Sequence, residues 1–293
     1  DRVWMSPIHY DTKRVRTVIR AEIRALAKRF RGTPGLLMWL LGNENNYGLA
    51  WDSAAVADLP SDKANRVRAE FLYSLMGVII RDIKAIDAHH PVALANGDLG
   101  YIDLIAKHCK GLDVMGANVY RGASSRDIFE RVWKILKVPF MYTEFGADAW
   151  DAKRRREGHI SQARYLKSQW QEIYEQSYGK GRVGNAIGGM IFQWSDGWWK
   201  TGQTVRLDKH DTAASWSNKA YLDDFVEGGN NMNEEWFGIC AKLPNNDVGH
   251  YDVVPRTAYY VLMQGLRLKP YAAGTNLARI RRHWRGVDLL AAA

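Results

Sequence analysis

The chain has 293 residues, of which 46% are hydrophobic and 25% charged, and its formal net charge is +9. These proportions are ordinary for a globular protein with a sizeable core and exclude a collagen-like or intrinsically disordered chain. No apolar run approaches the roughly 18 residues of a membrane span. The two cysteines, Cys109 and Cys240, support neither a disulfide scaffold nor a cysteine-built zinc site.

The first predicted element is a helix that ends at Gly32-Thr33-Pro34. Its apolar residues recur at helical spacing; they are Val15, Ile19, Ile23, Leu26 and Phe30. Basic residues fall on the opposite face; they are Arg16, Arg20, Arg24 and Lys28. We expect this basic face to be solvated rather than to bind an anionic partner.

Five predicted strands then alternate with predicted helices, which is typical of a parallel α/β fold. The strands are 36–41, 91–95, 112–120, 140–143 and 187–194, and the helices between them are about 63–86, 102–108, 126–136 and 161–177. A connection rich in Gly, Asn, Asp and Trp follows, from 196 to 233. Connections of this length without predicted elements are usually functional or mobile.

Two of the predicted strands run directly into a lone glutamate. Glu44 follows the strand that ends in Leu40-Leu41-Gly42-Asn43, and Glu144 follows Phe140-Met141-Tyr142-Thr143. Apolar runs without turn residues are typical of parallel strands buried on both faces, and such sheets carry their chemistry at the carboxyl ends of the strands. We therefore expect Glu44 and Glu144 to face one pocket, as in a glycosidase with two carboxylates.

Three motifs carry a resemblance to a known family: Asn43-Glu44, Thr143-Glu144-Phe145-Gly146-Ala147-Asp148 and Ile191-Phe192-Gln193-Trp194-Ser195-Asp196. Together they resemble the catalytic barrel of the β-galactosidase/β-glucuronidase family, family 2 of the glycoside hydrolases. The resemblance implies a TIM (β/α)8 barrel over residues 1–268, with 269–293 as an extension of unknown role. Within it, 236–240 and 255–262 resemble the closing strand and the last barrel helix.

The five strands correspond to about the fourth to the eighth of such a barrel, whereas closure takes eight. We therefore expect the first three strands to lie in a preceding segment of the same polypeptide or in another chain.

The resemblance also implies roles for single residues. Glu44 is the acid/base and Glu144 the nucleophile of a retaining mechanism, while Asn43 hydrogen-bonds the sugar 2-hydroxyl and Tyr120 hydrogen-bonds the nucleophile. Asn43 could instead only tie backbone groups together, and Tyr120 could be a core tyrosine. Asn118 is a further candidate for substrate binding or a turn residue, and the same alternatives hold for Asn96 and Asp98.

Four aromatic residues are candidates for stacking on sugar rings, because these rings present apolar C–H faces. They are Phe192, Trp194, Trp198 and Trp199. The family usually has a tryptophan in the place of Phe192. Trp194 follows two residues later, so strand alternation predicts it on the same face as Phe192.

The family's β-glucuronidases carry an Asn-Lys pair before the closing strand, and the lysine binds the sugar carboxylate. This chain has Asn233-Glu234-Glu235 there, and two acids would repel a uronate. Lys200 and Arg206 could substitute for the lysine. An acidic sugar is therefore disfavoured without being excluded.

The sequence predicts a retaining β-glycosidase that hydrolyses β-linked glycosides or oligosaccharides by double displacement, without a cofactor or a metal. Two alternatives remain open: a transglycosylase that uses the same residues, and a catalytically weak glycan-binding protein. A carbohydrate is the expected partner. Nucleic-acid binding is suggested only by the net charge and lacks a motif. The sugar, the linkage and the oligomeric state are left open.

Overall fold

The computed structural model describes residues 7–197, 209–245 and 249–290. The helices are α1 (Lys13–Phe30), α2 (Ser61–Ile86), α3 (Ile102–His108), α4 (Ile128–Leu136), α5 (His159–Glu175), α6 (Thr257–Gly265) and α7 (Leu277–Arg285). The strands are β1 (Trp39–Leu41), β2 (Val92–Gly97), β3 (Val114–Asn118), β4 (Phe140–Phe145), β5 (Trp150–Asp151), β6 (Arg156–Glu157), β7 (Ala186–Ile191), β8 (Cys240–Asn245) and β9 (Tyr251–Pro255). Among the described helices, none is both long and apolar enough to cross a bilayer.

Five parallel strands form the main sheet, in the order β1-β2-β3-β4-β7. These are the five strands that the sequence predicts, and helices separate them along the chain. The α/β class is therefore confirmed. In the register, Leu40 lies opposite Ala93 of β2, and Ala95 lies opposite Gly116 of β3.

Burial along the sheet depends on the position of the strand. Every residue of β2 and β3 is buried, as expected for parallel strands covered on both faces. The edge strands differ, since Leu40 of β1 is 41% exposed and Met190 of β7 is 50% exposed. The expectation of burial on both faces is therefore correct for β2 and β3 and wrong for the edge strands β1 and β7.

The described residues divide into two compact units. The N-terminal unit holds 7–118 and 128–143, and the C-terminal unit holds 119–127, 144–197, 209–245 and 249–290. In the N-terminal unit, Ala93, Val114 and Met141 of neighbouring strands form a buried cluster. In the C-terminal unit, α5 packs against α6 and α7. A buried aromatic cluster there is formed by Ala147, Tyr165, Tyr221, Met232 and Phe237, with Tyr120, Phe192, Trp216 and Ala220 packed against it.

The basic face of α1 has a structural partner. Arg20 and Arg24 form ion pairs with Asp82 of α2, at 2.8 and 3.1 Å. Asp82 is buried between helical side chains, so its carboxylate needs a countercharge. Leu26 and Phe30 of the predicted apolar stripe are exposed instead. The two arginine side chains are still 43% and 45% exposed, so this part of the face is solvated as expected and is also paired with Asp82.

The segment after β7 also departs from the sequence prediction. A 3₁₀ turn at Glu234–Trp236 occupies the start of the expected closing strand, and β8 begins only at Cys240. β8 then pairs with β9 in an antiparallel hairpin, while a single bridge joins Cys240 to Ser195. The predicted last helix is present as α6. α7 lies in the stretch that has no sequence prediction.

Candidate active site

Glu44 lies in a tight turn that follows β1. Gly42 has a φ of 72°, and a Cβ there would lie 2.0 Å from Oδ1 of Asn45. The same Oδ1 accepts a hydrogen bond from the backbone N–H of Asn43 at 3.1 Å. Glu44 itself adopts the left-handed conformation with a φ of 51°, and its N–H donates to the carbonyl of Ala95. The turn is thus closed over the carboxyl end of β2.

Asn46 fastens this turn to the neighbouring strand. Its Oδ1 accepts from the N–H of Gly97 at 2.7 Å, and its Nδ2 donates to the carbonyl of Gly97 at 2.9 Å. Two hydrogen bonds from one buried amide hold the loop that carries Glu44 in a single position. The sequence analysis does not identify Asn46. The sequence feature that could have identified Asn46 is its place as the third asparagine in the run Asn43-Glu44-Asn45-Asn46.

Asn118, the last residue of β3, contacts both residues of the Asn-Glu motif. Its Nδ2 donates to Oδ1 of Asn43 at 3.0 Å and to Oε1 of Glu44 at 3.1 Å. Its Oδ1 accepts from the hydroxyl of Thr143 at 2.6 Å. Asn118 therefore orients protein side chains, and its predicted contact with substrate stays a prediction. The side chains of Asn96 and Asp98 bond to backbone groups after β2, and a contact of either residue with substrate stays a prediction.

Glu144 has a phenol partner in the C-terminal unit. The hydroxyl of Tyr120 donates to Oε2 of Glu144 at 3.0 Å. Burial above all, and then the nearby Glu144 carboxylate, raise the pKa of Tyr120 well above its ordinary value. The phenol therefore remains protonated and available as a donor. Its ring makes edge-on contacts with Trp216 and Phe237, with centroids 6.0 and 5.8 Å away.

The described part of the long connection contacts Tyr120 directly. Besides the ring of Trp216, Nδ2 of Asn218 donates to the carbonyl of Tyr120 at 2.9 Å. Asn231 accepts from the N–H of Asn218 and fixes this part of the loop. The sequence analysis does not identify Trp216 or Asn218. The only available signal is their place in a long Trp- and Asn-rich connection.

The predicted sugar-stacking residues have different environments. Phe192 is partly buried and packs against the buried aromatic cluster, with its ring centroid 5.8 Å from that of Phe237. Trp194 is 61% exposed and contacts Tyr259 of α6 edge-on. β7 ends at Ile191, so strand alternation does not extend to these two side chains, and the expected common face is not observed. Trp198 and Trp199 lie outside the described residues.

The acidic residues that replace the family's lysine are partly engaged within the protein. Asn233 is buried, and its Oδ1 accepts from the N–H of Glu235. Glu235 is also buried and accepts from the N–H of Asp211. Glu234 is half-buried, and its charge contributes to the raised pKa of Tyr120, after burial and the effects of Glu144. Lys200 and Arg206, the possible substitutes for the lysine, lie outside the described residues.

Asp148 ends the motif that begins at Thr143 and is half-buried. Its Oδ2 accepts from the backbone N–H of Asn233 at 2.7 Å. Burial, as the main cause, raises the pKa of Asp148 well above its ordinary value. Over the described residues, no group of three or more His, Cys, Asp or Glu side chains has an arrangement that could hold a metal ion.

Comparisons with known proteins show similarity at the level of the fold. No protein-family model matches the chain, and no curated protein matches it. Bacteroides uniformis β-glucuronidase matches with a TM-score of 0.53 and 14% identity, over 88% of this chain and 26% of that chain. Bacteroides uniformis β-glucuronidase 2 covalently bound to cyclophellitol-6-carboxylate aziridine matches with a TM-score of 0.53 and 14% identity, over 89% and 27%.

A GH2 β-galacturonidase from Eisenbergiella tayi bound to glycerol matches with a TM-score of 0.46 and 15% identity, over 94% and 37%. The chain thus spans about a quarter of the length of the two β-glucuronidase structures. At this level of identity, the similarity to those two structures indicates a shared fold.

Proposed function

We propose that the chain contributes the catalytic centre of a retaining β-glycosidase. The observation that carries this proposal is a pair of donors two residues apart at the end of β3. Asn118 donates to Glu44, and Tyr120 donates to Glu144. Each glutamate of the two sequence motifs therefore accepts a hydrogen bond from a protein side chain that orients it, which an incidental surface carboxylate would not need. The fold shared with two β-glucuronidases adds support.

In this mechanism Glu144 attacks the anomeric carbon while the carboxylic acid of Glu44 gives its proton to the leaving oxygen. The bond from the sugar to the leaving group breaks, and an ester between the sugar and Glu144 forms. Glu44, now ionised, takes a proton from water, and the resulting hydroxide attacks the anomeric carbon and releases Glu144. Retention by this mechanism requires a carboxyl separation of ~5 to 5.5 Å.

The tyrosine and the asparagine partners fit these roles. Tyr120 stabilises the carboxylate of Glu144, which must be ionised to attack. Asn118 contacts Glu44, which must change its protonation state twice in each cycle. Asn43 is proposed to bind the sugar 2-hydroxyl, where a hydrogen bond strengthens in the transition state. We also propose that Phe192, Trp194, Trp198 and Trp199 contact the sugar rings of the substrate.

For the substrate we propose a neutral β-glycoside rather than a uronate. The charge of Glu234 acts on Tyr120, so a sugar carboxylate bound near this tyrosine would meet repulsion. The two similar structures are β-glucuronidases, which would instead favour a uronate as the substrate. Aryl β-glucosides, β-galactosides and β-glucuronides, tested on the purified chain, separate these cases. Faster turnover of the glucuronide would contradict the choice of a neutral sugar.

Substitution of each glutamate tests the assigned roles. Glu144→Gln should abolish turnover of all substrates because no covalent intermediate can form. In Glu44→Gln, kcat/KM should fall roughly 10²- to 10⁴-fold for substrates with poor leaving groups. The rate on a dinitrophenyl glycoside, whose leaving group needs no protonation, should be retained, and azide should restore turnover. Glu22→Gln on the exposed surface of α1 is the matched control and should have wild-type rates. Equal losses in both catalytic variants, without rescue, would refute the roles.

The stereochemistry of the product provides an independent test. Proton NMR during the first turnovers should show the β-anomer of the released sugar first. Products with a longer sugar chain at high substrate concentration would identify transglycosylation by the same residues. Turnover with the α-anomer appearing first would contradict retention. Binding of the sugar without any turnover would support the glycan-binding alternative.

A further inference from the structure

Four side chains of the N-terminal unit form a branched hydrogen-bond network that includes Glu44. The hydroxyl of Thr143 donates to Oδ1 of Asn118 at 2.6 Å. Nδ2 of Asn118 then donates to Oδ1 of Asn43 at 3.0 Å and to Oε1 of Glu44 at 3.1 Å. Thr143 and Asn118 are 7% and 2% exposed. Because water has little access to these groups, the protein must supply the partners of this amide.

The donors and acceptors in this hydrogen-bond network are determined by the chemistry of the asparagine amide. An asparagine amide can donate only through its nitrogen and accept only through its oxygen. A 2.6 Å separation is typical of a hydroxyl donating to an oxygen and is short for an amide N–H donor. With Oδ1 toward Thr143, both hydrogens of Nδ2 find oxygen acceptors. In the reversed orientation, the amide oxygen would face Oε1 of Glu44, which is favourable only when Glu44 carries a proton.

The amide orientation therefore affects the ionisation of Glu44. A donor that faces a carboxylate favours its ionised form, whereas an amide oxygen in the same place favours the protonated form. Thr143 gives its hydrogen to the oxygen end of Asn118 and thereby favours the orientation with nitrogen toward Glu44. Polarisation of the amide by the same bond also strengthens its N–H donors.

We propose that Thr143 is a positioning residue that holds the Asn118 amide with its nitrogen toward Glu44 and so sets the pH range over which Glu44 exchanges its proton. The effect on catalysis rests on the proposed function of Glu44 as acid/base. The effect on the ionisation of Glu44 does not rest on it. Thr143 directly precedes Glu144 in the chain, so a sequence motif for the nucleophile also carries the residue that acts on the acid/base.

Paired substitutions at Thr143 separate the hydroxyl from the shape of the side chain. Thr143→Val removes the hydroxyl and keeps a methyl beside Gly116, against which Cγ2 of Thr143 packs closely. Thr143→Ser keeps the hydroxyl. In Thr143→Val the basic limb of the kcat profile should move up by about 1 pH unit, the equivalent of one hydrogen bond to a charged group. Thr143→Ser should retain the wild-type limb.

A merely structural role gives a different result. Loss of local packing would lower kcat at every pH and leave the basic limb in place, and Thr143→Ser would not restore the profile. Either observation would overturn the proposal. Thr143→Ala is the second variant if Thr143→Val does not give folded protein by circular dichroism. It also lacks the hydroxyl and should show the same upward movement.

A direct titration of Glu44 keeps the proposal testable without turnover. Protein labelled with ¹³C at the glutamate carboxyls is titrated by NMR, and Glu44→Gln assigns the signal. The midpoint for Glu44 should rise in Thr143→Val and be unchanged in Thr143→Ser. A raised midpoint in a chain that hydrolyses none of the aryl glycosides would leave this proposal standing and remove the proposed function. Turnover with an unmoved midpoint would do the reverse.

Discussion

Tyr120 combines a structural and a chemical contact in one side chain. Its ring packs edge-on against Trp216 and Phe237, and its hydroxyl donates to Glu144. Removal of the hydroxyl therefore separates the two contacts, because phenylalanine retains the ring. The fully buried neighbour Phe237 offers the same apolar environment to either residue.

We predict that Tyr120→Phe folds normally and loses roughly 10- to 100-fold in kcat/KM, the range expected for one hydrogen bond to a charged group. The carboxylate of Glu144 loses a donor that favours its ionised form, so the acidic limb of the profile should move to higher pH. Measurement of kcat/KM against pH on an activated aryl glycoside checks both effects. Tyr178→Phe, at an exposed position, is the control. An unchanged acidic limb would contradict the assigned contact.

At the scale of elements, one arginine joins several segments of the C-terminal unit. Arg256 precedes α6 and is 1% exposed. Its guanidinium binds both carboxylate oxygens of Asp196, at 2.6 and 2.7 Å, and Oε1 of Glu157 in β6 at 2.8 Å. A buried guanidinium with only one of these partners would be costly. The network thus ties β6, the end of the β7 segment and α6 together.

Glu157 makes this network sensitive to acid. Burial acts to raise its pKa, but the hydrogen bond with His159 and the charge of Arg256 prevail and lower the pKa of Glu157 to about 2. The folded-state pKa is thus below the ordinary value of about 4.3 for a glutamate. Its contribution to stability is complete above that ordinary value and is lost as the pH falls towards 2.

We predict that Glu157→Gln is less stable than the wild type at neutral pH and that the difference shrinks between about pH 4.5 and pH 2. Thermal unfolding midpoints measured across this range check the prediction. Glu130→Gln on the exposed face of α4 provides the control, with a constant small difference at every pH. A gap between Glu157→Gln and the wild type that stays constant down to pH 2 would contradict the role of this ion pair.

Elements with a strong periodic pattern could be predicted from the sequence, and those formed by long-range contacts could not. α2 and α3 coincide with their predictions because their apolar faces are continuous. α7 was not predicted, since only Ile280 and Trp284 of its nine residues are buried among many arginines. The 3₁₀ turn at Glu234–Trp236 depends on Asn233, whose role as a cap is visible only after folding.

The same division holds for the candidate site. The motifs place Glu44 and Glu144 at the ends of strands, and the contact of Tyr120 with Glu144 follows from the resemblance. The contact of Thr143 with Asn118 joins two strands, and no local pattern in either strand indicates it. The ion pairs between α1 and Asp82 were not predicted for the same reason, since Asp82 lies 58 to 62 residues from its arginine partners.

At the scale of the whole molecule, the sheet has two edges with apolar side chains in solvent. Leu40 is exposed on β1, and Ile187 and Met190 are exposed on β7. Both edges differ from β2 and β3, which are completely buried. Closure of a TIM barrel takes eight strands and leaves no edge. We propose that further β-strands cover the exposed edges at β1 and β7.

This inference predicts how the edges respond to charge. In the chain of 293 residues, Leu40→Lys and Met190→Lys should reduce association and binding of a hydrophobic dye, because charged residues protect open edges. When further strands cover the edges, the same substitutions should instead destabilise the protein by about 1 to 3 kcal/mol, since each buries an unpaired charge or polar group.

Light scattering and urea unfolding measure the two effects. Lys13→Ala, at an exposed position outside the sheet, is the control. If the unaltered chain is monomeric, binds no dye and does not respond to either lysine, its edges need no further strands, and the barrel inference is wrong.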